Sequence, residues 1–266
     1  MNLSDIIICS DFDGTLTGSP SSAEKTVVMP LGRVNTETVN AVKRFADAGG
    51  KFIVVSGRSP ASMDFLYDFM PIDDLFAGAN GSAIKSRKRG CLVFSRPMKL
   101  APLQFSEKIS GFLQDINELH LTDADTTVHR WVKGEEKLNS FLTRFDTALK
   151  IIAIEHEPST MKKIYENLKT ALSEVCEVEM SCPFIAECFD KGAGKGGTIR
   201  YLKQIYPDKL VVAAGDYDND AKMLQAADMA FCPENASPEI KKLCKKTFRS
   251  SGEGFIADVV DYLEKL

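Results

Sequence analysis

Two carboxylates one residue apart, Asp11 and Asp13, end the apolar run 6–10 and are followed at once by Gly14 and Thr15. Three more polar groups stand further along: Ser56-Gly57-Arg58, the glycine-rich basic turn Lys191-Gly192-Ala193-Gly194-Lys195-Gly196, and Gly215-Asp216-x-x-Asn219-Asp220. Asp11, Asp13, Asp216 and Asp220 in one crevice would repel unless a cation lay among them, and hard oxygen ligands select Mg²⁺. A lysine, a serine hydroxyl and backbone N–H groups from glycine turns would each complement the anionic oxygens of a phosphate. Asp11 is then placed to attack phosphorus, giving an acyl phosphate that water cleaves, and Asp13 to protonate the leaving alkoxide. For that, the pKa of Asp13 must rise above the ordinary carboxylate value. Gly14 lets both carboxylates enter the crevice from one strand end. Each group alone has an ordinary explanation as a turn or solvated loop; four in this order do not.

The elements that must position these groups follow from the apolar pattern. Short buried strands are expected at 6–10, 52–55 and 210–214, each ending in one of the polar groups. Between them lie a helix capped at Asn35 or Thr36 and stopped at Gly49-Gly50, a helix begun by Ser59-Pro60 and a helix after Gly196, and one more follows from Asn219. This alternation predicts a parallel α/β sheet, whose ligand crevice lies beyond the carboxyl ends of the strands. The rhythm breaks after Asn80-Gly81. From there a hairpin at 84–94, a helix through Leu103, Phe105 and Ile109, strands near 126–131 and 151–154, a helix at 159–175 and an alternating strand at 175–182 predict an antiparallel α+β unit. The expected organisation is one discontinuous α/β domain, 1–82 and 188–266, interrupted by an inserted domain at 83–187.

Composition narrows the function. The chain has 266 residues and a formal charge of -4, which offers no basic field for nucleic acid or anionic lipid. Small-molecule chemistry is the expectation. Seven cysteines without a CxxC pair read as reduced thiols, and the three histidines lack zinc-ligand spacing. No apolar run approaches the roughly 20 residues that span a bilayer, so a cytoplasmic protein is expected.

The same residues carry a resemblance. Asp11-Phe12-Asp13-Gly14-Thr15, Ser56-Gly57-Arg58, Lys195-Gly196 and Gly215-Asp216-x-x-Asn219-Asp220 resemble the four ordered motifs of the haloacid dehalogenase superfamily of phosphatases. The insert, Asn80-Gly81 and the tail from Glu234-Asn235-Ala236 to Gly252-Glu253-Gly254 resemble its Cof-type subfamily, with a large α/β (C2B-type) cap. The resemblance implies a Rossmann-like core with an α+β cap and a Mg²⁺-dependent phosphatase acting on sugar phosphates or similar small phosphorylated metabolites. It makes Asp11 nucleophile and metal ligand, Asp13 acid/base with its main-chain carbonyl on the metal, and Asp216 the remaining carboxylate ligand. Phe12, Gly14, Ser56, Gly57, Asn219 and Lys195 would hold the phosphoryl group, Asp220 would order the site behind them, and Arg58 and Asn80 would sit near the substrate or the cap hinge. Lys191 and Lys195 both precede glycine; Lys195 is preferred because 196–202 continues as a helix. A phosphomutase using the same acyl phosphate, and a binding module without turnover, are the alternatives.

Overall fold

The computed structural model describes residues 2–18, 26–29 and 32–266. Its strands are β1 (Ile6–Ser10), β2 (Thr26–Met29), β3 (Gly32–Asn35), β4 (Lys51–Val55), β5 (Leu75–Gly78), β6 (Ala83–Ser86), β7 (Cys91–Ser95) and β8 (Glu118–Thr122). They continue as β9 (Val128–Val132), β10 (Lys150–Ile154), β11 (Cys176–Cys182), β12 (Ile185–Asp190), β13 (Leu210–Ala214), β14 (Met229–Pro233) and β15 (Lys246–Phe248). One sheet runs β15-β14-β13-β1-β4-β5-β6-β7, parallel as far as β5 and antiparallel beyond it. A second, antiparallel sheet runs β11-β12-β10-β8-β9, and β2 and β3 form a small separate ribbon. The chain is thus a mixed α/β protein with a largely parallel central sheet and a separate antiparallel one.

The apolar run of β1 is continuous because helices cover both of its faces. Ile6 and Ile8 pack with Phe52, Val54, Val42, Phe45 and Val260 on one side. Ile7 and Cys9 pack with Ile53, Val211, Ile199, Leu202 and Met223 on the other. A strand sandwiched in this way buries every side chain, so alternation disappears from its sequence. The helix Thr36–Asp47 is capped by Asn35, whose side chain accepts from the Glu37 amide at 2.8 Å. Between β1 and its neighbours β13 and β4 the order of connection reverses, which opens the crevice above Ser10.

Three expectations need correcting. The hairpin expected in the insert extends the central sheet instead, with Leu75 opposite Ser86 and Gly78 opposite Ala83. Ile84 explains why: its side chain is fully buried in the apolar layer that also holds Leu75 and Ala77. At the other end, β12 carries the second sheet to Asp190, past the expected boundary at 187. The helix expected from Ser59-Pro60 is also short, a 3₁₀ turn at Pro60–Met63 followed by one turn at Leu66–Phe69.

The second sheet has two unlike faces. Leu119, Leu121, Trp131, Ile151, Ala153 and Cys188 point to one side, where Phe105, Ile164 and Leu168 of the helices Pro102–Ile109 and Pro158–Leu172 cover them. The residues that alternate with them along the strands, His120, Thr122, Lys150, Ile152 and Glu187, point the other way, toward the crevice. Leu121→Ala is therefore expected to cost about 2–5 kcal/mol in urea unfolding, by loss of packing and a residual cavity. Ile152→Ala, on the crevice face and only partly buried, is expected to cost roughly 1 kcal/mol.

Candidate active site

Asp11 is the first residue beyond β1, and its amide donates to the carbonyl of Ala214 at 2.9 Å, tying it to the end of β13. The Phe12 side chain turns into the core and the Asp13 side chain turns out. Gly14 has φ 81°, and a Cβ there would lie 2.5 Å from Asp216 Oδ2, so both conformation and space require glycine. Thr15 Oγ1 donates to Asp216 Oδ1 at 2.5 Å. The residues that end β1 thus hold in place the carboxylate that follows β13.

Lys195 opens the helix Lys195–Ile205 and is buried. Its Nζ lies 2.7 Å from Asp11 Oδ1 and 2.6 Å from Asp220 Oδ1. Asp220 Oδ2 accepts from the amides of Asp216 and Tyr217 at 2.9 and 3.1 Å, so both of its oxygens are engaged. Burial alone would lower the lysine pKa, but Asp11 and Asp220 outweigh it and hold the ammonium protonated. Burial, then the charge on Asp220, raises the pKa of Asp11 well above the usual carboxylate range, with Lys195 opposing. Burial likewise pushes Asp216 up to about 6, against its bond from Thr15. Lys191, the other candidate, is exposed.

Carboxylate oxygens of Asp11, Asp216 and Asp220 all lie within 4.8 Å of one another. Three carboxylates face one buried ammonium, which leaves two negative charges, the charge of one divalent cation. Oxygen donors of this kind suit a hard cation. Asp11 and Asp216 have oxygens to offer it, whereas Asp220 is committed to Lys195 and to backbone amides. The Asp13 side chain stands outside this cluster: both its oxygens are held by the Arg58 guanidinium, each at 2.8 Å.

Above these groups is a cavity of about 480 Å³. Asp11, Asp13, Gly57, Arg58, Lys195 and Asn219 line its floor, and His120, Thr122, Lys150, Ile152 and Glu187 of the second sheet form the opposite wall. Ser56 is fully buried, and its Oγ accepts from the Arg58 amide at 3.1 Å. Asn80 is also buried and bonds to Glu187 rather than facing the cavity. Phe12, Gly14, Asp216 and Asp220 do not line this cavity. His129 and Trp131 stay away from the crevice, with His129 on Asp123 and the Trp131 indole N–H on the Glu136 carbonyl.

Several participants escape a reading by motif. Thr15 belongs to the first motif, but its spacing does not reveal the bond to Asp216. Asn235 donates to the Gly14 carbonyl at 3.0 Å from a segment far along the chain. Lys150 and Glu187 come from the second sheet, and one signal could have found them: each is a charged residue within an apolar strand, KIIAI and IAECFD.

The sequence profile of haloacid dehalogenase-like hydrolases matches residues 8–260, and the chain belongs to that family. It is 23% identical to the 5-amino-6-(5-phospho-D-ribitylamino)uracil phosphatase YwtE of Bacillus subtilis, over 96% of this chain and 97% of that one. The solved structure of a haloacid dehalogenase-like hydrolase from B. subtilis superposes with a TM-score of 0.76 at 18% identity, over 97% of this chain and 99% of that one. A sugar phosphatase of subclass IIB superposes with a TM-score of 0.74 at 16% identity, over 98% and 99% of the two chains. These likenesses share the fold of a central sheet with a cap. Among the described residues, no helix is long and apolar enough to cross a membrane.

Beside the main cavity, Glu179 of β11 faces Tyr217 and Asn219 across a smaller one. Its Oε2 is buried with no hydrogen-bond partner among the described residues, and Lys222 Nζ is 3.8 Å from its other oxygen. Burial pushes its pKa up to about 7, against the pull of Lys222. The folded protein keeps this proton to near neutrality, whereas the unfolded chain loses it near the ordinary value of about 4.3. Stability is therefore full below that value and falls as pH rises through about 7. Glu179→Gln is expected to raise the melting temperature at pH 8 by about 5 °C and to change it little at pH 4. Scanning calorimetry at the two pH values checks this.

Proposed function

We propose that this protein is a Mg²⁺-dependent phosphatase that hydrolyses small phosphate monoesters, sugar phosphates or related metabolites, through phosphorylation of Asp11. The observation that carries the reading is the Asp11 carboxylate itself. It is buried at a strand end and oriented by the Lys195 ammonium, and it opens onto a cavity walled by a second sheet. The named relatives with phosphatase activity support the reaction class.

In this reading the substrate's phosphoryl group lies between Asp11, Lys195 and the Ser56-Gly57 turn, with Asn219 at its side. Asp11 and Asp216, together with the Asp13 main-chain carbonyl, hold Mg²⁺, which neutralises phosphate charge. The free carboxylate oxygen of Asp11 forms a bond to phosphorus as the ester P–O bond breaks, and Asp13 gives its proton to the departing alkoxide. Water then attacks phosphorus, the Asp11–phosphorus bond breaks, and Asp13 recovers a proton. For the first step Asp13 must leave the Arg58 fork, turn toward the leaving group and carry a proton. Arg58 is then free to meet the substrate. The wall formed by the second sheet excludes bulk water while the leaving group is read.

Phosphate release from a panel of phosphorylated metabolites is the test. Turnover is expected to require Mg²⁺ and to vanish with EDTA. Asp11→Asn is expected to lower it by about 10³-fold or more with the fold intact by circular dichroism. Lys191→Met, at the exposed alternative lysine, is expected to stay within about twofold of the parent. Undiminished release by the Asp11 variant contradicts the proposal.

A further inference from the structure

Lys150 and Glu187 are nearly fully buried, with side-chain exposures of 3% and 6%, and their Nζ and Oε1 are 2.8 Å apart. Ile152 pairs with Glu187 and Lys150 with Phe189, so both charged side chains project from the crevice face of the second sheet. The sheet does not need them for its own core, which lies on the opposite face. A buried ion pair is also a poor stabiliser in itself, because apolar replacements are often as stable. Its other contacts indicate a different use.

Both residues reach across to the central sheet. Lys150 Nζ donates to the Gly57 carbonyl, and Asn80 Nδ2 donates to Glu187 Oε2 at 2.5 Å. Gly57 and Asn80 sit on the loops that follow β4 and β5, and these loops bond to each other: Asn80 N to Ser56 O at 3.1 Å, Ala79 N to Arg58 O at 2.8 Å. Ala79 and Asn80 have φ of 49° and 54°, a left-handed backbone that residues with a Cβ keep only under outside constraint. A Cβ at Gly57 would lie 2.6 Å from Asn80 Oδ1. Loop, amide and ion pair are therefore fitted to one another.

We propose that Lys150 and Glu187 are positioning residues, which act through Gly57 and Asn80 to fix the Ser56-Gly57-Arg58 loop where it receives a phosphoryl group. This rests on the reading of that loop given above. The second sheet then forms one wall of the cavity and also sets the geometry of the first sheet's binding loop. An arrangement with the two sheets apart would leave the loop loose.

Hydrogen exchange followed by mass spectrometry on the full chain tests this without reference to turnover. Lys150→Met/Glu187→Gln removes both charges together, so no lone charge is left buried. Asn80→Gly keeps the ion pair and suits the left-handed backbone, so it removes only the amide link. In both variants, peptides covering 79–81 are expected to exchange about 10-fold faster, and in the double variant those covering 56–58 as well, while β1 and β13 keep parental protection. Calorimetry with inorganic phosphate in the presence of Mg²⁺ is expected to give about 10-fold weaker binding for the double variant. Unchanged exchange at both loops, or acceleration spread equally over β1 and β13 as a purely structural role would give, overturns the proposal. If the parent binds no phosphate, the phosphatase reading fails, and the exchange pattern still decides whether these residues hold the loop.

Discussion

The structure depends on one buried cation. The Lys195 ammonium, almost wholly buried at the cavity floor, is matched by Asp11 on one side and Asp220 on the other. An ammonium taken out of water costs several kcal/mol unless it is paired and hydrogen-bonded. That requirement brings three chain segments together: the end of β1, the loop after β13 and the start of the helix Lys195–Ile205. Asp220 completes the arrangement by accepting the Asp216 and Tyr217 amides, which fixes the loop that carries Asp216. The lysine still leaves the carboxylates in excess, and burial first, then the charge of Asp220, raises the pKa of Asp11 and Asp216. A divalent cation relieves that excess where protons otherwise would.

The second sheet faces this centre with its polar side because its other side is occupied. Burying Leu119, Leu121, Ile151 and Ala153 under two helices leaves His120, Thr122, Lys150 and Glu187 for the crevice. Polar contacts join the second sheet to the first. Ser59 Oγ donates to the Thr126 carbonyl, Lys222 Nζ lies 2.6 Å from Glu177, and Lys150 and Glu187 reach Gly57 and Asn80. In the proposed reaction the chemistry would belong to the first sheet and the recognition of the leaving group to the second.

The parallel sheet was legible because strands buried on both faces leave continuous apolar runs, as at Ile6–Ser10 and Leu210–Ala214, and each run ends in polar residues. Asp11, Asp216 and Asp220 could be gathered from those endings because strand ends of a parallel sheet share one crevice, and Lys195 from the glycine-rich turn that opens a helix. The hairpin at Ala83–Ser86 and Cys91–Ser95 was harder to place. Its local pattern is that of any hairpin, and its attachment to β5 is set by Ile84 entering a layer built from distant segments. The Asp13–Arg58 pair was equally hidden, since spacing places Asp13 at the crevice but says nothing of its rotamer. Lys150 and Glu187 stand 37 residues apart, and their partnership arises from the register of β10 on β12. Register is a tertiary property that a single sequence specifies only weakly.

The most direct test of the central claim is to trap the nucleophile. During turnover of a reactive phosphate monoester, the protein is quenched in acid, reduced with borohydride and mapped by peptide mass spectrometry. Borohydride converts an aspartyl phosphate to homoserine, so the residue that carried phosphate is marked by its mass. The account expects homoserine at position 11, with Asp13, Asp216 and Asp220 unmodified. Turnover that leaves position 11 as aspartate, or that marks another carboxylate, would contradict it.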